Sequence, residues 1–311
     1  MLICAAADIH YPREGRDWYQ ALAGSMCDSG AEVLVLAGDI AVGEQQQYGK
    51  FLDLFADFGG PKLFVPGNHD LWSLSRHPDT PRRYDRALRS IAGAAGFHYL
   101  PGAPLQLGDV GFVGGAGWYD YSFRQVEAPA ADLRLASFHA GRGGAGAGIA
   151  ALGTGGAKAW EELTDDDYAR KALAWRGGGA TRNVVWNDAM YINWGEADAG
   201  VVARMAADIV RDAAAMPQAR ALVGVCHFLP FAELLDPEPT DDVGSAYCRA
   251  YLGSALLGEA FLSDPRFRLV LCGHSHRQRV LETGHLAVAN CSVGERSGGP
   301  LLFTLPDGET R

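Results

Sequence analysis

The sequence predicts an α/β fold assembled from stacked βα units. Three observations carry that prediction. Short apolar runs alternate with stripes of helical period. Glycines punctuate the joins between them. Five of the apolar runs end in Asp, Asn or His.

Leu2 to Ala7 reads as a buried strand, and Trp18, Leu22 and Met26 form a helical stripe that Gly30 stops. Val33 to Ala37 is the second strand. Tyr48, Phe51, Leu52 and Phe55 make the next helical face, closed by Gly59-Gly60. Leu63 to Val65 is a third strand, and Tyr84, Leu88 and Ile91 mark a helix after Pro81. Leu105 to Leu107, Gly108-Asp109 and Val110 to Val113 read as a hairpin. Residues 120–197 hold few strand signals and much Gly, and predict an insertion. Order returns with the helical stripe Val202, Met205, Ile209 and Ala213, then the strand Leu222 to Cys226. Tyr247, Tyr251 and Ala255 continue a helical spacing. Leu269 to Cys272 is a strand, Val280 to Ala289 a second hairpin, and Leu301 to Leu305 the last strand. No repeat of fixed period occurs. The pattern predicts one domain over residues 1–311 with a long insertion, not two domains and a linker.

Hydrophobic residues make up 48% and charged residues 21%, a globular balance that excludes a disordered chain. Gly is the outlier, at 40 of 311 residues, and its clustering marks loops and the insertion. A formal charge of −10 argues against non-specific binding of nucleic acid or anionic membrane. It favours a small soluble substrate over long nucleic acid. No apolar run approaches the roughly 20 residues of a membrane span. The N-terminal residues meet Asp8 too early for a signal peptide. Six cysteines without a Cys-x-x-Cys pair read as reduced, structural thiols of a cytoplasmic protein.

The strand ends carry the chemistry: Asp8-Ile9-His10, Gly38-Asp39, Gly67-Asn68-His69-Asp70, His227, and Gly273-His274-Ser275-His276. Each alone has a plain reading. Gly-Asp is a common turn, Asn tolerates left-handed backbone, and a single His at a strand end is usually a hydrogen-bonded structural residue. Together they read differently, because strand C-termini in an α/β sheet open on one edge where ligands bind. Carboxylates and imidazoles gathered there repel or desolvate unless cations neutralise them. Oxygen plus imidazole donors suit Mn, Fe, Zn or Ni alike. Seven ligands are too many for one ion with open positions and about right for two ions that share a carboxylate.

The ordered set Asp-x-His, Gly-Asp, Gly-Asn-His-Asp, His, Gly-His-x-His resembles the signature of the calcineurin-like metallophosphoesterases. It spans Asp8 to His276. The resemblance implies two mixed β-sheets flanked by helices, a four-layer sandwich. It implies that Asp8, His10 and His276 hold one metal, that Asn68, His227 and His274 hold the other, and that Asp39 bridges them. His69 would face the substrate and assist the leaving oxygen, and Asp70 would orient His69, as carboxylates commonly do for imidazoles. The reaction implied is attack on phosphorus by a hydroxide shared between two ions, with the motifs separating neither monoesters from diesters nor one metal from another.

Weaker readings remain. Gly114 to Tyr121 and Trp186-Asn187-Asp188 resemble segments of one bacterial branch of the superfamily. Trp118, Tyr119 and Asp188 then edge the pocket, or the aromatics anchor the insertion to the core. Tyr11 lines the site or packs. Gly141, Gly143 and Gly146 satisfy G-x-G-x-x-G without the strand–turn–helix context, so a dinucleotide site is rejected. The glycine-rich stretch 141–157 reads instead as a mobile lid, from which Arg142, Lys158, Arg176 or Arg182 reach phosphate. His77, His98, His139 and His285 read as structural or surface residues. Two other functions compete: a dinuclear enzyme with a non-phosphate substrate, which a substrate screen separates, and a non-catalytic scaffold keeping the fold, which loss of ligands would have favoured. Nothing in the sequence addresses oligomeric state.

Overall fold

The computed structural model describes residues 1–41, 45–129, 134–137, 140–143, 146–149, 158–177, 180–294 and 298–305. The chain begins with β1 (Leu2–Ala6), β2 (Val33–Ala37), β3 (Lys62–Val65), β4 (Phe97–Tyr99), β5 (Leu105–Leu107) and β6 (Val110–Gly114). Within 120–197 lie β7 (Arg134–Ser137), β8 (Ala140–Gly143), β9 (Gly146–Ile149), β10 (Ala172–Gly177) and β11 (Ala180–Val185). There follow β12 (Ala221–Val225), β13 (Phe267–Cys272), β14 (Arg279–Thr283), β15 (Leu286–Asn290) and β16 (Leu301–Thr304).

Two mixed sheets form the body. The first has the order β16-β1-β2-β3-β4, the second β14-β15-β13-β12-β6-β5. In the first, β1 to β4 run parallel and β16 pairs antiparallel to β1. In the second, β6, β12, β13 and β15 are parallel, and the hairpin partners β5 and β14 are antiparallel at the edges.

The two-residue period of a strand sorts side chains between two cores. Ile3, Ala5, Ala7, Val33, Val35, Leu63 and Val65 meet Phe112, Val223, Val225, Leu269 and Leu271 between the sheets. Their neighbours Cys4, Ala6, Leu34, Leu36 and Phe64 face outward and pack with Leu22, Met26, Phe51 and Leu88 from the helices. Leu222, Val270 and Val288 do the same toward Val202, Met205 and Phe261. Helices over sheet over sheet over helices is the architecture implied by the resemblance. β1, β2 and β3 are covered on both faces, which is why they read as continuous apolar runs.

Three details differ from the sequence reading. β4 was not expected, being only three residues long. Residues 120–197 hold a three-stranded antiparallel sheet, β11-β10-β7, where few strand signals were read. The single helical stripe through Tyr247, Tyr251 and Ala255 is broken: one helix spans Val243–Cys248 and another Ala255–Leu262. The break has a steric cause, since a Cβ at Gly253 would lie 2.0 Å from the Leu229 carbonyl oxygen. There the Leu229 N–H donates to the Leu252 carbonyl at 3.0 Å, and Ser254 caps the next helix by accepting from the Leu256 N–H. Of the stretch 141–157, residues 144–145 and 150–157 lie outside the described residues, as does His139. No helix among the described residues is long and apolar enough to cross a membrane.

Candidate metal centre

The two sheets are stitched together at one edge. The Ala7 N–H donates to the Cys291 carbonyl at 2.9 Å, and the Val293 N–H to the Ala7 carbonyl at 3.0 Å. Past that stitch, loops leaving β1, β2 and β3 meet those leaving β12 and β13. They turn sharply. Asp8 (φ 58°), His10 (50°), Asp39 (55°), His274 (72°) and His276 (56°) all occupy the left-handed region. Side-chain-bearing residues rarely go there, and such strain concentrates at functional sites. The loops also press against one another. A Cβ at Gly67 would lie 2.2 Å from Asp39 Oδ1, and one at Gly38 would lie 2.5 Å from His227 Nδ1. The glycines of Gly-Asp and Gly-Asn-His-Asp are therefore required by close approach.

Six of the seven expected ligands converge in two groups, and the seventh, Asn68, lines the cavity beside them. Asp8, His10 and His276 form one group whose donor atoms lie within 4.8 Å of one another, and Asp39, His227 and His274 form a second. His10 Nε2 and His276 Nε2 are 3.2 Å apart, and His276 Nε2 is 3.5 Å from Asp8 Oδ1. On the other side His227 Nε2 is 3.3 Å from Asp39 Oδ2 and 3.2 Å from His274 Nδ1. Asp39 Oδ2 also stands 3.8 Å from His10 Nε2, so its carboxylate faces both groups.

The protein holds the far side of Asp8, Asp39, His227 and His274. Asp8 Oδ2 accepts from the His274 N–H (2.8 Å) and the Ser292 hydroxyl (2.6 Å). Asp39 Oδ1 accepts from the His69 N–H at 2.8 Å. His227 Nδ1 meets the Ala37 carbonyl at 3.0 Å, and His274 Nε2 the Tyr251 carbonyl at 3.2 Å. Asp8 Oδ1 and Asp39 Oδ2, which face the imidazoles, are buried without a hydrogen-bond partner, as are Asn68 Oδ1, His10 Nδ1 and His69 Nδ1. Buried polar atoms are normally satisfied, and metal-binding imidazoles normally donate their other ring N–H to a carbonyl or carboxylate. The donor set fits divalent metal on both counts.

Electrostatics agree. Burial pushes His10 down to about 3. Burial and the neighbouring His227 hold His274 well below its usual value. His227 goes the other way: burial opposes its charge, but the Asp39 carboxylate outweighs it and lifts the imidazole to about 9. Burial likewise opposes charge on Asp39, and its imidazole neighbours hold the carboxyl well below its ordinary range. The site keeps two neutral imidazoles and an ionised carboxylate ready to donate.

A cavity of about 520 Å³ opens on this cluster, lined among others by Asp39, Asn68, His69, His274 and His276. His69 is half-buried there, its Nε2 3.9 Å from Asp39 Oδ2. Asp188 also lines the cavity, though it is only 1% exposed.

Other expected residues stand elsewhere. Asp70 does not orient His69. Its carboxylate accepts from the backbone N–H groups of Asp39 (2.7 Å), Ile40 (3.1 Å), Ala41 (3.2 Å) and Gly67 (2.8 Å), locking two loops together. The ring of His69 rests instead on Trp72, with centroids 3.8 Å apart. Tyr11 packs on Tyr19 and Phe51. Trp118 and Tyr119 are fully buried and stacked on one another, and the Trp118 indole donates to Asp198 at 2.7 Å. None of these three lines the cavity, because the aromatic core took them. Lys158 pairs with Asp167 at 2.6 Å, the Arg142 side chain lies outside the described residues, and Arg176 and Arg182 do not line the cavity. The cation that does is Arg13, which the sequence reading passed over, as it did Trp72 and Cys248. Arg13 follows His10 by three residues, and that nearness to a strand-end motif was its available signal.

Residues 1–168 match the family model for calcineurin-like phosphoesterase. No curated protein matches. Among solved structures, the chain is similar to phosphopantetheinyl hydrolase from Mycobacterium tuberculosis, at 19% identity and a TM-score of 0.61, over 94% of this chain and 89% of that one. It also aligns with a dimetal phosphatase from Danio rerio, at 12% identity and a TM-score of 0.46, over 97% of this chain and 91% of that one. At such identities the likeness to the first is one of fold.

Proposed function

The chain belongs to the calcineurin-like phosphoesterase family, and from that premise we propose that it is a dinuclear metal-dependent hydrolase of a small phosphoric ester. One observation carries the reading: two buried carboxylate oxygens, on Asp8 and Asp39, face a ring of imidazoles with no hydrogen-bond partner of their own, and the Asn68 amide oxygen is buried and unpartnered as well. Asp8, His10 and His276 would hold one divalent ion, Asn68, His227 and His274 the other, and Asp39 would serve both. Bound there, such ions supply positive charge against phosphoryl oxygens and bring the pKa of water near neutrality.

The remaining work belongs to the chain. His69 carries a proton at Nε2 for the leaving oxygen. Burial disfavours its charged form and outweighs the Asp39 and Asp188 carboxylates that favour it, so the imidazole is held below its ordinary value and offers the N–H of its neutral ring. Trp72 fixes the plane of the ring. Arg13, at the cavity wall, attracts an anionic substrate into a site otherwise rich in carboxylates. The cavity volume falls within the range of small-molecule sites, roughly 300–1,000 Å³. We read residues 1–311 as one domain whose 120–197 insertion supplies a wall of that cavity through Val185 to Asp188. The six free thiols suit a reducing compartment such as the cytoplasm.

The test is initial rates on an aryl phosphate monoester and an aryl phosphate diester with added Mn²⁺, using Asp39→Asn as the blank. A phosphopantetheinyl diester joins the panel because the similar hydrolase carries that name. Metal-dependent turnover of at least one ester is expected. A metal-loaded protein that turns over none above the blank would overturn the reading.

A further inference from the structure

Residues 180–188 bring one carboxylate from the insertion against the back of the cluster. Asp188 lies three residues past the end of β11 and is 1% exposed. Its Oδ1 accepts from the Asn68 side-chain amide at 2.9 Å and from the Trp72 indole at 2.7 Å. Its Oδ2 accepts from the Trp186 indole at 2.8 Å and the Tyr119 hydroxyl at 3.4 Å. All four donors are neutral, so the carboxylate is buried without a cation bonded to it. Burying a charge that way is costly unless something nearby repays it.

An asparagine amide can present either end to its surroundings. Here the Asn68 NH₂ is committed to Asp188, which forces Oδ1 to the opposite side. That Oδ1 is buried with no hydrogen-bond partner, and Asn68 lines the same cavity as Asp39, His274 and His276. One of the two indoles held by Asp188 is that of Trp72, on which the His69 ring lies. One carboxylate therefore fixes the orientation of both Asn68 and the platform under His69.

We propose that Asp188 is a positioning residue: it fixes the Asn68 amide with its oxygen toward the metal centre and steadies His69 through Trp72, so that the insertion completes the site. This rests on the dinuclear reading above. It replaces the expectation that Asp188 touches substrate. It also explains why a buried charge is kept, since a carboxylate behind the ligand shell offsets the charge of bound cations through the amide.

The experiment compares wild type, Asp188→Asn, Asn68→Ala and the double variant. Each is stripped, reloaded with Mn²⁺ and desalted, and metal per chain is read by mass spectrometry beside kcat, KM and metal-free melting. Wild type is expected to keep two equivalents. Asp188→Asn is expected to keep about one and to lose kcat about 10²-fold with KM within a few-fold, following the usual 10–100-fold cost of losing a ligand's supporting partner. The double variant should lose no more metal than Asn68→Ala, because both changes act on one ligand. Two equivalents retained in Asp188→Asn overturns the proposal. A rise in KM with kcat unchanged also overturns it and makes Asp188 a substrate contact. Additive losses with a lowered metal-free melting temperature overturn it in favour of a purely structural role. Should Asp188→Asn not fold, Asp188→Ser, which leaves room for water beside the indoles, takes its place with the same expected stoichiometry. A wild type that holds no metal overturns the dinuclear reading itself, which separates the two failures.

Discussion

Two imidazoles of one cluster are driven in opposite directions. His10 is pushed down to about 3 by burial, while His227, beside Asp39, is lifted to about 9. His227 must then lose a proton before it can ligate, and His10 has none to lose near neutrality. Metal affinity is expected to rise with pH between about 7 and 9, with close to one proton released by this residue on binding. Calorimetry in buffers of different ionisation enthalpy reads that number; a metal affinity that stays flat from pH 7 to 9 would contradict it. The sign for the metal-free protein is the reverse. A folded value above the unfolded one contributes stability below about 6.5, and that stability is lost as pH rises through about 9. His69 differs from both because no ligand role is expected of it. His69→Ala should keep its metal and lose about 10²–10⁴ in rate on a poor leaving group. A normal rate on that ester would remove His69 from the mechanism.

At the scale of an element, the loops after β2 and β3 behave as one unit. Asp70 accepts four backbone N–H groups drawn from both loops. Each buried donor left unsatisfied costs ~1–3 kcal/mol. Asp70→Ala is therefore expected to cost about 4 kcal/mol or more in urea unfolding, and to lose metal as a consequence. A loss below about 1 kcal/mol would mean that water replaces the carboxylate. Gly67→Ala tests the same unit sterically, since its Cβ would meet Asp39 Oδ1 at 2.2 Å. It should abolish metal retention with the sheets intact by circular dichroism. Farther from the centre, Asp198 gathers the Trp118 indole (2.7 Å), the Lys171 ammonium (2.7 Å) and the Tyr121 hydroxyl. That hub explains why the aromatic segment after β6 is core and not pocket: its polar atoms are already taken.

At the scale of the molecule, two sheets are pressed together and stitched at one edge, and the candidate ligands come from both. The second group spans the sheets, with Asp39 from the first and His227 and His274 from the second. A metal bound there ligates the folded state alone and stabilises it by mass action, ~2.7 kcal/mol at a hundred times the dissociation constant. Chelation should lower the melting temperature by several degrees and Mn²⁺ should restore it. An unchanged melting temperature after verified metal removal would show that the sheets hold together without help from the centre.

Period and strand ends are written in the chain. Doubly covered strands leave continuous apolar runs, amphipathic helices leave stripes, and loop residues at one edge of a parallel sheet converge of necessity. That made β1, β2, β3, β12 and β13 legible, together with the seven candidate ligands and His69. Which polar group serves which neighbour is set by how the loops pack. Asp70 turned to backbone amides, Asp188 to an asparagine and two indoles, and Trp118 and Tyr119 to the core. Arg13 reached the cavity while Lys158, Arg176 and Arg182 did not. A hydrogen bond between Asn68 and Asp188 joins residues 120 positions apart. Such a contact leaves no periodic trace in the chain, because it depends on how two loops pack and not on the pattern within either.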